Sequence, residues 1–205
     1  MKKRIVFALP GASYTNNFLI SWTRLWTYCL GQGYILSMSN ATCFDIYQVR
    51  NLAFGYKDTL PDTQPPVDGK DYDYIMCLDS DMVFTIPDFV KLLEADKEII
   101  SGTYKSTLGA WTCGMYDRQT GVSTPLKELK GIEKVDWAGM GFMLIKKGVL
   151  EKLGYPWFRP QTATFNGKTR YIWEDLGFCL RAKDNGFQVW VDADVKLGHE
   201  KRVII

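Results

Sequence analysis

The amino-terminal part of the sequence alternates between short apolar stretches and amphipathic stretches, and this alternation limits the fold more than any other feature. Ile5–Leu9 predicts a buried strand, and residues 16–30 carry apolar side chains at helical spacing. Tyr34–Leu36 begins a second strand, and a second helix is expected over residues 43–53. A strand–helix–strand–helix order predicts an α/β domain with a mostly parallel central sheet flanked by helices.

The remaining sequence fits one such domain over residues 1–205. Residues 97–103 predict another strand, residues 111–117 a small antiparallel arm, and residues 186–191 a late strand. The stretch 155–169 is aromatic and is expected to be irregular, as a lid or an acceptor-binding loop.

Composition and charge exclude several classes of protein. Hydrophobic residues make up 46% of the chain and charged residues 23%, which is ordinary for a globular domain. The net charge of +2 is too small to indicate an electrostatic track for nucleic acid. Five dispersed cysteines without a Cys-x-x-Cys pair favour reduced thiols over a zinc site. The first apolar run is too short for a signal peptide and no stretch could span a bilayer, so we expect a soluble, cytoplasmic protein.

An acidic triplet, Asp79-Ser80-Asp81, directly follows the apolar stretch Tyr74–Leu78. Open α/β sheets bind their ligands at the carboxyl edge, where the ends of parallel strands meet. Carboxylates at that edge suit Mg²⁺ or Mn²⁺ shared with the phosphates of a nucleotide. A polar turn that closes the strand is the simpler interpretation of the triplet alone.

A second acidic pair, Glu174-Asp175, opens a stretch with apolar residues at helical spacing. The helix dipole alone favours acidic residues there, but a carboxylate on a rigid helix can also act as a general base. His199 is the only histidine, and imidazole beside carboxylates is an acceptable ligand for Mn²⁺. Lys201 and Arg202 follow it and could neutralise a diphosphate.

A glycine-broken turn, Gly139-Met140-Gly141, precedes the apolar run Phe142–Ile145. Glycine allows the backbone to approach a ligand closely, although a bulge or turn explains the pattern equally well.

Taken in order along the chain, these segments resemble the GT-A glycosyltransferases, and in particular the inverting family 2-like group. The resemblance rests on the first strand with its proline, Arg50-Asn51, the Asp79-Ser80-Asp81 triplet, the glycine turn, the segment 173–182 and His199. It covers nearly the whole chain, and its specific part is the Glu-Asp helix followed by Phe-Cys-x-x-Arg-Ala and the downstream histidine.

The resemblance implies a nucleotide-diphospho-sugar donor, with UDP or GDP as the nucleotide, bound by residues 1–103, and an acceptor and catalytic half over residues 104–205. Asp81 and His199 would hold Mn²⁺ or Mg²⁺, and Asp79 would face the metal, its bound water or the ribose. Asp175 would be the catalytic base, and Glu174 would orient the acceptor. The expected donor-site residues are Pro10, Gly11, Asn40, Arg50, Asp79, Ser80, Gly139, Met140, Gly141, Trp173, Lys201 and Arg202.

The sequence leaves the nucleotide base and the acceptor open, and it disfavours two other functions. Family members often carry an acidic residue after the second strand, where this chain has Ser37–Asn40, so the nucleotide base is not determined. A sugar-phosphate nucleotidyltransferase is disfavoured because the loop after the first strand, residues 10–15, has no basic residue. A non-catalytic sugar-binding module is disfavoured because such modules are usually all-β. The acceptor could be a glycan, a lipid-linked sugar, a protein or a modified nucleobase.

Overall fold

The protein is described by a computed structural model that covers residues 2–57 and 64–201. Its helices are α1 (Asn16–Gly31), α2 (Ile46–Ala53), α3 (Ile86–Glu94), α4 (Val149–Leu153) and α5 (Glu174–Asp184), with a short 3-10 turn at Pro66–Gly69. Its strands are β1 (Arg4–Pro10), β2 (Ile35–Ala41), β3 (Tyr74–Leu78), β4 (Met82–Val83), β5 (Ile99–Thr103), β6 (Cys113–Asp117), β7 (Val122–Pro125), β8 (Ile132–Val135), β9 (Trp137–Ala138), β10 (Phe142–Lys146), β11 (Gln161–Phe165), β12 (Lys168–Ile172), β13 (Val189–Lys196) and β14 (Gly198–His199).

A seven-stranded sheet in the order β2-β1-β3-β10-β5-β13-β8 forms the centre of the molecule. Strands β1, β2 and β3 are mutually parallel, and β13 is parallel to β5. Strand β10 is antiparallel to both β3 and β5, and β8 is antiparallel to β13. The predicted mixed α/β fold with a mostly parallel sheet is therefore confirmed, and the carboxyl ends of β1, β3, β5 and β13 lie at one edge.

Successive side chains of the central strands point to opposite faces of the sheet, and helices bury both faces. Alternate residues of β1 belong to two separate apolar clusters, with Ile5 and Phe7 on one face and Val6 and Ala8 on the other. Helices α1 and α3 cover the first face, and α2, α4 and α5 cover the second. The continuous apolar runs in the sequence follow from this two-sided burial.

Smaller antiparallel sheets surround the centre. Strands β7, β6 and β9 form the predicted antiparallel arm, and β14 pairs with β4. The segment 155–169 is irregular, as expected, only over residues 155–160, since β11 and β12 form a hairpin around Asn166-Gly167. The threonines Thr162, Thr164 and Thr169 suit a two-stranded ribbon, and both residues of the Asn166-Gly167 turn have the positive φ that a two-residue hairpin turn requires.

Several boundaries differ from the expected ones. Helix α2 begins at Ile46, where the Asp45 side chain accepts the N–H of Gln48 as an N-cap. Strand β13 extends to Lys196, so Asp192 and Asp194 lie within it. The prolines Pro61, Pro65 and Pro66 predict a polar surface loop over residues 59–70, and part of this segment lies outside the described residues. Within the described residues, no helix has the length and apolar character needed to cross a bilayer.

Candidate active site

The acidic triplet lies at the carboxyl edge of the sheet, as its place after β3 predicts. The backbone N–H of Asp79 donates to Gly141 O at 3.0 Å, which ties the end of β3 to the turn before β10. The N–H of Thr15 donates to Ser80 O at 3.1 Å, which ties the triplet to the start of α1. These backbone bonds fix the direction in which the carboxylates leave the sheet.

Arg50 joins the two acidic pairs that are far apart in sequence. Its guanidinium donates to both oxygens of Asp79, at 2.5 Å from Nη1 to Oδ1 and 3.2 Å from Nη2 to Oδ2. Its Nη2 also lies 3.6 Å from Oε1 of Glu174. The guanidinium is buried, and a bidentate arginine–carboxylate pair of this kind fixes geometry as well as charge. Helix α2, which carries Arg50, thus positions the Asp79 carboxylate after β3 and the Glu174 carboxylate of α5.

The Arg50 guanidinium remains incompletely satisfied. Its Nε is buried and has no hydrogen-bond partner among the described residues. Buried polar atoms in folded proteins nearly always have a partner, which can be water or a ligand. Arg50 lines a cleft of about 260 Å³ together with Pro10, Gly11, Asp79 and Ser80.

Asp175 is the acidic side chain whose protonation is most perturbed at this edge. Burial raises the pKa of Asp175 most, the negative charge of Glu174 raises it further, and together they bring it to about 7. The N–H of Leu176 donates to its Oδ1 at 2.7 Å and opposes this rise. A carboxylate with a pKa near neutrality can accept a proton and release it again.

Asp81 and His199 lie side by side as the sequence predicts, because β14 pairs with β4. His199 Nε2 is 3.3 Å from Asp81 Oδ2, and Lys201 Nζ is 2.6 Å from the same oxygen. The N–H of Glu200 donates to Asp81 O at 2.8 Å. His199 Nδ1 lies 3.0 Å from Lys105 O, and because a carbonyl can only accept, this nitrogen carries the proton. In the neutral imidazole, Nε2 then carries a lone pair that faces Asp81 Oδ2, so the two side chains can share a cation.

The side chains at this position fit a hard divalent cation in part. Asp81 and His199 offer one carboxylate and one imidazole nitrogen, a combination that Mn²⁺ accepts. Asp79 has both oxygens engaged by Arg50. Among residues 2–57 and 64–201, no group of three or more His, Cys, Asp and Glu side chains is placed to hold a metal by itself. A cation here would therefore take its remaining ligands from phosphate and water, as Mg²⁺ commonly does.

The glycine turn before β10 packs against Tyr104. A Cβ at Gly139 would lie 2.3 Å from the Tyr104 hydroxyl, and one at Gly141 would lie 2.9 Å from it. The N–H of Gly141 donates to that hydroxyl at 3.0 Å, and Met140 is fully buried. The close approach that these glycines permit is therefore to a tyrosine of the same chain.

Three other expected donor-site residues are placed as follows. The Asn40 amide donates to the carbonyls of Leu9 and Gly11, at 2.8 and 3.1 Å, so it holds the Pro10–Gly11 loop. Trp173 precedes α5, is 43% exposed and packs edge-on against Trp137 at 5.9 Å. Arg202 lies outside the described residues.

The sequence did not reveal Tyr104 and Lys105 as site residues. Both follow β5 at the same edge as Asp79, and the Tyr104 ring lies 5.1 Å from the His199 ring. Burial and then the charges of Asp79 and Asp175 raise the pKa of Tyr104. The position of Tyr104 and Lys105 just after a buried strand was the signal that could have identified them, but polar residues follow most strands.

The architecture, a mixed central sheet flanked by helices with small antiparallel sheets around it, is a GT-A-like α/β fold. No protein-family model matches the sequence, and no curated protein matches it. Among solved structures, A197 from STIV is similar over 98% of this chain and 86% of its own, with 20% identity and a TM-score of 0.64. Drosophila beta1,4-galactosyltransferase 7, solved with manganese, UDP-Gal and xylobiose, is similar over 98% of this chain and 71% of its own, with 14% identity and a TM-score of 0.55.

A further solved structure, GalNAc-T7 with UDP, GalNAc and Mn²⁺, matches 99% of this chain but 44% of its own length, at 11% identity and a TM-score of 0.55. At such low identities these similarities establish the fold. The chemistry of this chain has to be argued from its own side chains.

Proposed function

We propose that this protein is a metal-dependent glycosyltransferase that moves a sugar from a nucleotide-diphospho-sugar to an acceptor hydroxyl with inversion. The observation that carries the proposal is the meeting of both acidic pairs and the histidine at one sheet edge. Arg50 contacts both Asp79 and Glu174, while His199 and Lys201 contact Asp81. Strong perturbation of a carboxyl pKa at such an edge favours an enzyme over a binding module.

The nucleotide half of the donor would lie in the cleft between the Pro10–Gly11 loop and α2. The unpartnered Nε of Arg50 supports a polar ligand there. Asp81 and His199 would hold the cation, which when bound would neutralise charge on the leaving diphosphate. The Lys201 ammonium lies at the same place and would contribute a second positive charge to the leaving group.

Asp175 would act as the general base. In its ionised form the carboxylate accepts the proton of the acceptor hydroxyl as that oxygen forms its bond to the anomeric carbon. The bond from this carbon to the diphosphate oxygen breaks on the opposite side, so the anomeric configuration inverts. Glu174, held near the Arg50 guanidinium, would orient the acceptor. Because only ionised Asp175 is a base, the transfer rate should rise with pH through about 7.

The test is a thermal-shift screen of UDP- and GDP-sugars with and without Mn²⁺, followed by a donor-hydrolysis assay. We expect a donor to raise the melting temperature with increasing concentration, and only when Mn²⁺ is present. Asp81→Asn should lose the metal-dependent shift and the hydrolysis. Asp175→Asn should keep the shift and lose turnover, and the exposed Asp194→Asn serves as control. Equal loss of donor binding in Asp175→Asn would refute its role as the base.

A further inference from the structure

A second and larger cavity adjoins the Asp81–His199 contact and is lined by His199. Its volume is about 570 Å³, compared with about 260 Å³ for the cleft that contains Arg50. Its lining combines basic and hydroxyl-bearing side chains with one tryptophan and one leucine. The lining residues are Lys105, Ser106, Thr107, Trp111, Lys196, Leu197, His199 and Lys201. None of these described lining residues is acidic.

The charge in this cavity is only partly neutralised by the protein. Lys201 pairs with Asp81, so its charge is shared with the proposed cation site. Lys105 Nζ lies 5.1 Å from the centre of the Trp111 ring, in a cation–π contact that leaves its positive charge in place. Lys196 is exposed at the end of β13, and it makes no ion pair within the part of the chain that the structure describes. A concave surface with this excess of positive charge attracts anions.

The cavity also adjoins the proposed catalytic groups. Lys105 directly follows Tyr104, whose ring lies 5.1 Å from the His199 ring. The Lys105 carbonyl holds His199 Nδ1 at 3.0 Å. A molecule bound here would therefore lie beside the proposed cation site, because His199 lines this cavity and Asp81 lines the Arg50 cleft.

We propose that this cavity binds the acceptor and that the acceptor carries a phosphate group next to a ring. Lys105 and Lys196 would hold the phosphate, and the partly buried Trp111 would stack on the adjacent sugar or base ring. The inference that the bound molecule is an acceptor rests on the proposed glycosyltransferase function. The inference that the cavity binds phosphate rests on the lysines and Trp111 alone. The phosphate could belong to a phosphorylated sugar or to a nucleic-acid backbone, and the chemistry that recognises it is the same.

The test uses the full chain labelled with 5-fluorotryptophan, with the Trp111 signal identified by its absence in Trp111→Phe. Inorganic phosphate, glucose, glucose 6-phosphate and oligothymidylate are titrated in EDTA, so that metal-dependent donor binding does not contribute. We expect the Trp111 signal to respond to phosphate and glucose 6-phosphate but not to glucose at equal concentration. Lys196→Gln should weaken phosphate binding by about fivefold, the amount expected for one exposed charge, and Lys168→Gln on the β11–β12 hairpin should not.

The phosphorylated probes also distinguish the two sources, since tighter binding of glucose 6-phosphate indicates a monoester and tighter, salt-sensitive binding of oligothymidylate indicates a backbone diester. Equal response of Trp111 to glucose and glucose 6-phosphate would overturn the proposal. The proposal would also be overturned if Lys196→Gln weakened the binding of UDP with Mn²⁺ as much as it weakened the binding of phosphate. The cavity would then belong to the donor. If the wild-type protein binds no nucleotide-sugar yet Trp111 responds to phosphate, the glycosyltransferase proposal fails and the phosphate site stands.

Discussion

Replacing Asp175 with asparagine should stabilise the folded protein at alkaline pH while it removes the proposed base. Burial and the charge of Glu174 raise the pKa of Asp175 from its ordinary value of 3.8 to about 7. Below the lower pKa the carboxyl is protonated in both folded and unfolded chains, so it has no effect on pH dependence. Between the two values the unfolded chain loses its proton and the folded one keeps it, so the free energy of unfolding falls as pH rises.

The size of this effect follows from the shift. A difference of about three pKa units corresponds to about 4 kcal/mol, since one unit is worth about 1.36 kcal/mol. Asp175 keeps some solvent exposure, so we expect about 2–4 kcal/mol at pH 8 and about half of that at pH 5. Asparagine has nearly the same size and its oxygen can still accept the Leu176 N–H, which limits other losses.

The assay is urea unfolding of wild type and Asp175→Asn at pH 5 and pH 8. The variant should gain stability relative to wild type, and the gain should be larger at pH 8. Asp194→Asn, an exposed change of the same chemistry, should show no such growth with pH. A stability difference for Asp175→Asn that is the same at both pH values would refute the reasoning, because burial of a titrating carboxyl would then not be its cause.

Other predictions concern the contacts that hold the site together. Arg50→Met should lower the free energy of unfolding by about 3 kcal/mol in urea, because Asp79 and Glu174 lose their shared cation; a loss below about 1 kcal/mol would contradict this. Gly139→Ala should cost about 1–3 kcal/mol, because its Cβ would lie 2.3 Å from the Tyr104 hydroxyl. Gly31→Ala is the matched control, since its Cβ meets nothing within 4 Å, and a similar cost in both variants would exclude the clash as the reason.

Part of the candidate site could be predicted because its residues occupy positions defined by local patterns. Asp79 and Asp81 follow an apolar strand, and Glu174 and Asp175 open an amphipathic helix. Parallel strands bring their carboxyl ends to one edge, so the meeting of these groups could be expected. The pairing of His199 with Asp81 was expected from the family resemblance, and the β14–β4 contact provides it.

The role of the glycine turn could not be chosen from the sequence. Gly139 and Gly141 indicate a close approach of some group, and only the fold shows that this group is the Tyr104 hydroxyl. Two lysines of the larger cavity, Lys105 and Lys196, come from the loop after β5 and from the end of β13, which are adjacent because these two strands pair.

The sequence by itself determined the order of the first two strands and helices and of the strand before Asp79, because hydrophobic periodicity reflects which side chains each element buries. It also determined which acidic residues stand at a strand end and at a helix start. Only the tertiary structure decided that β10 enters the sheet antiparallel between β3 and β5, since strand pairing depends on contacts between distant segments. It alone decided that Arg50 joins Asp79 to Glu174 and that Asp175 titrates near neutral pH. Charge and protonation depend on burial and on neighbours in space, and the local sequence specifies neither.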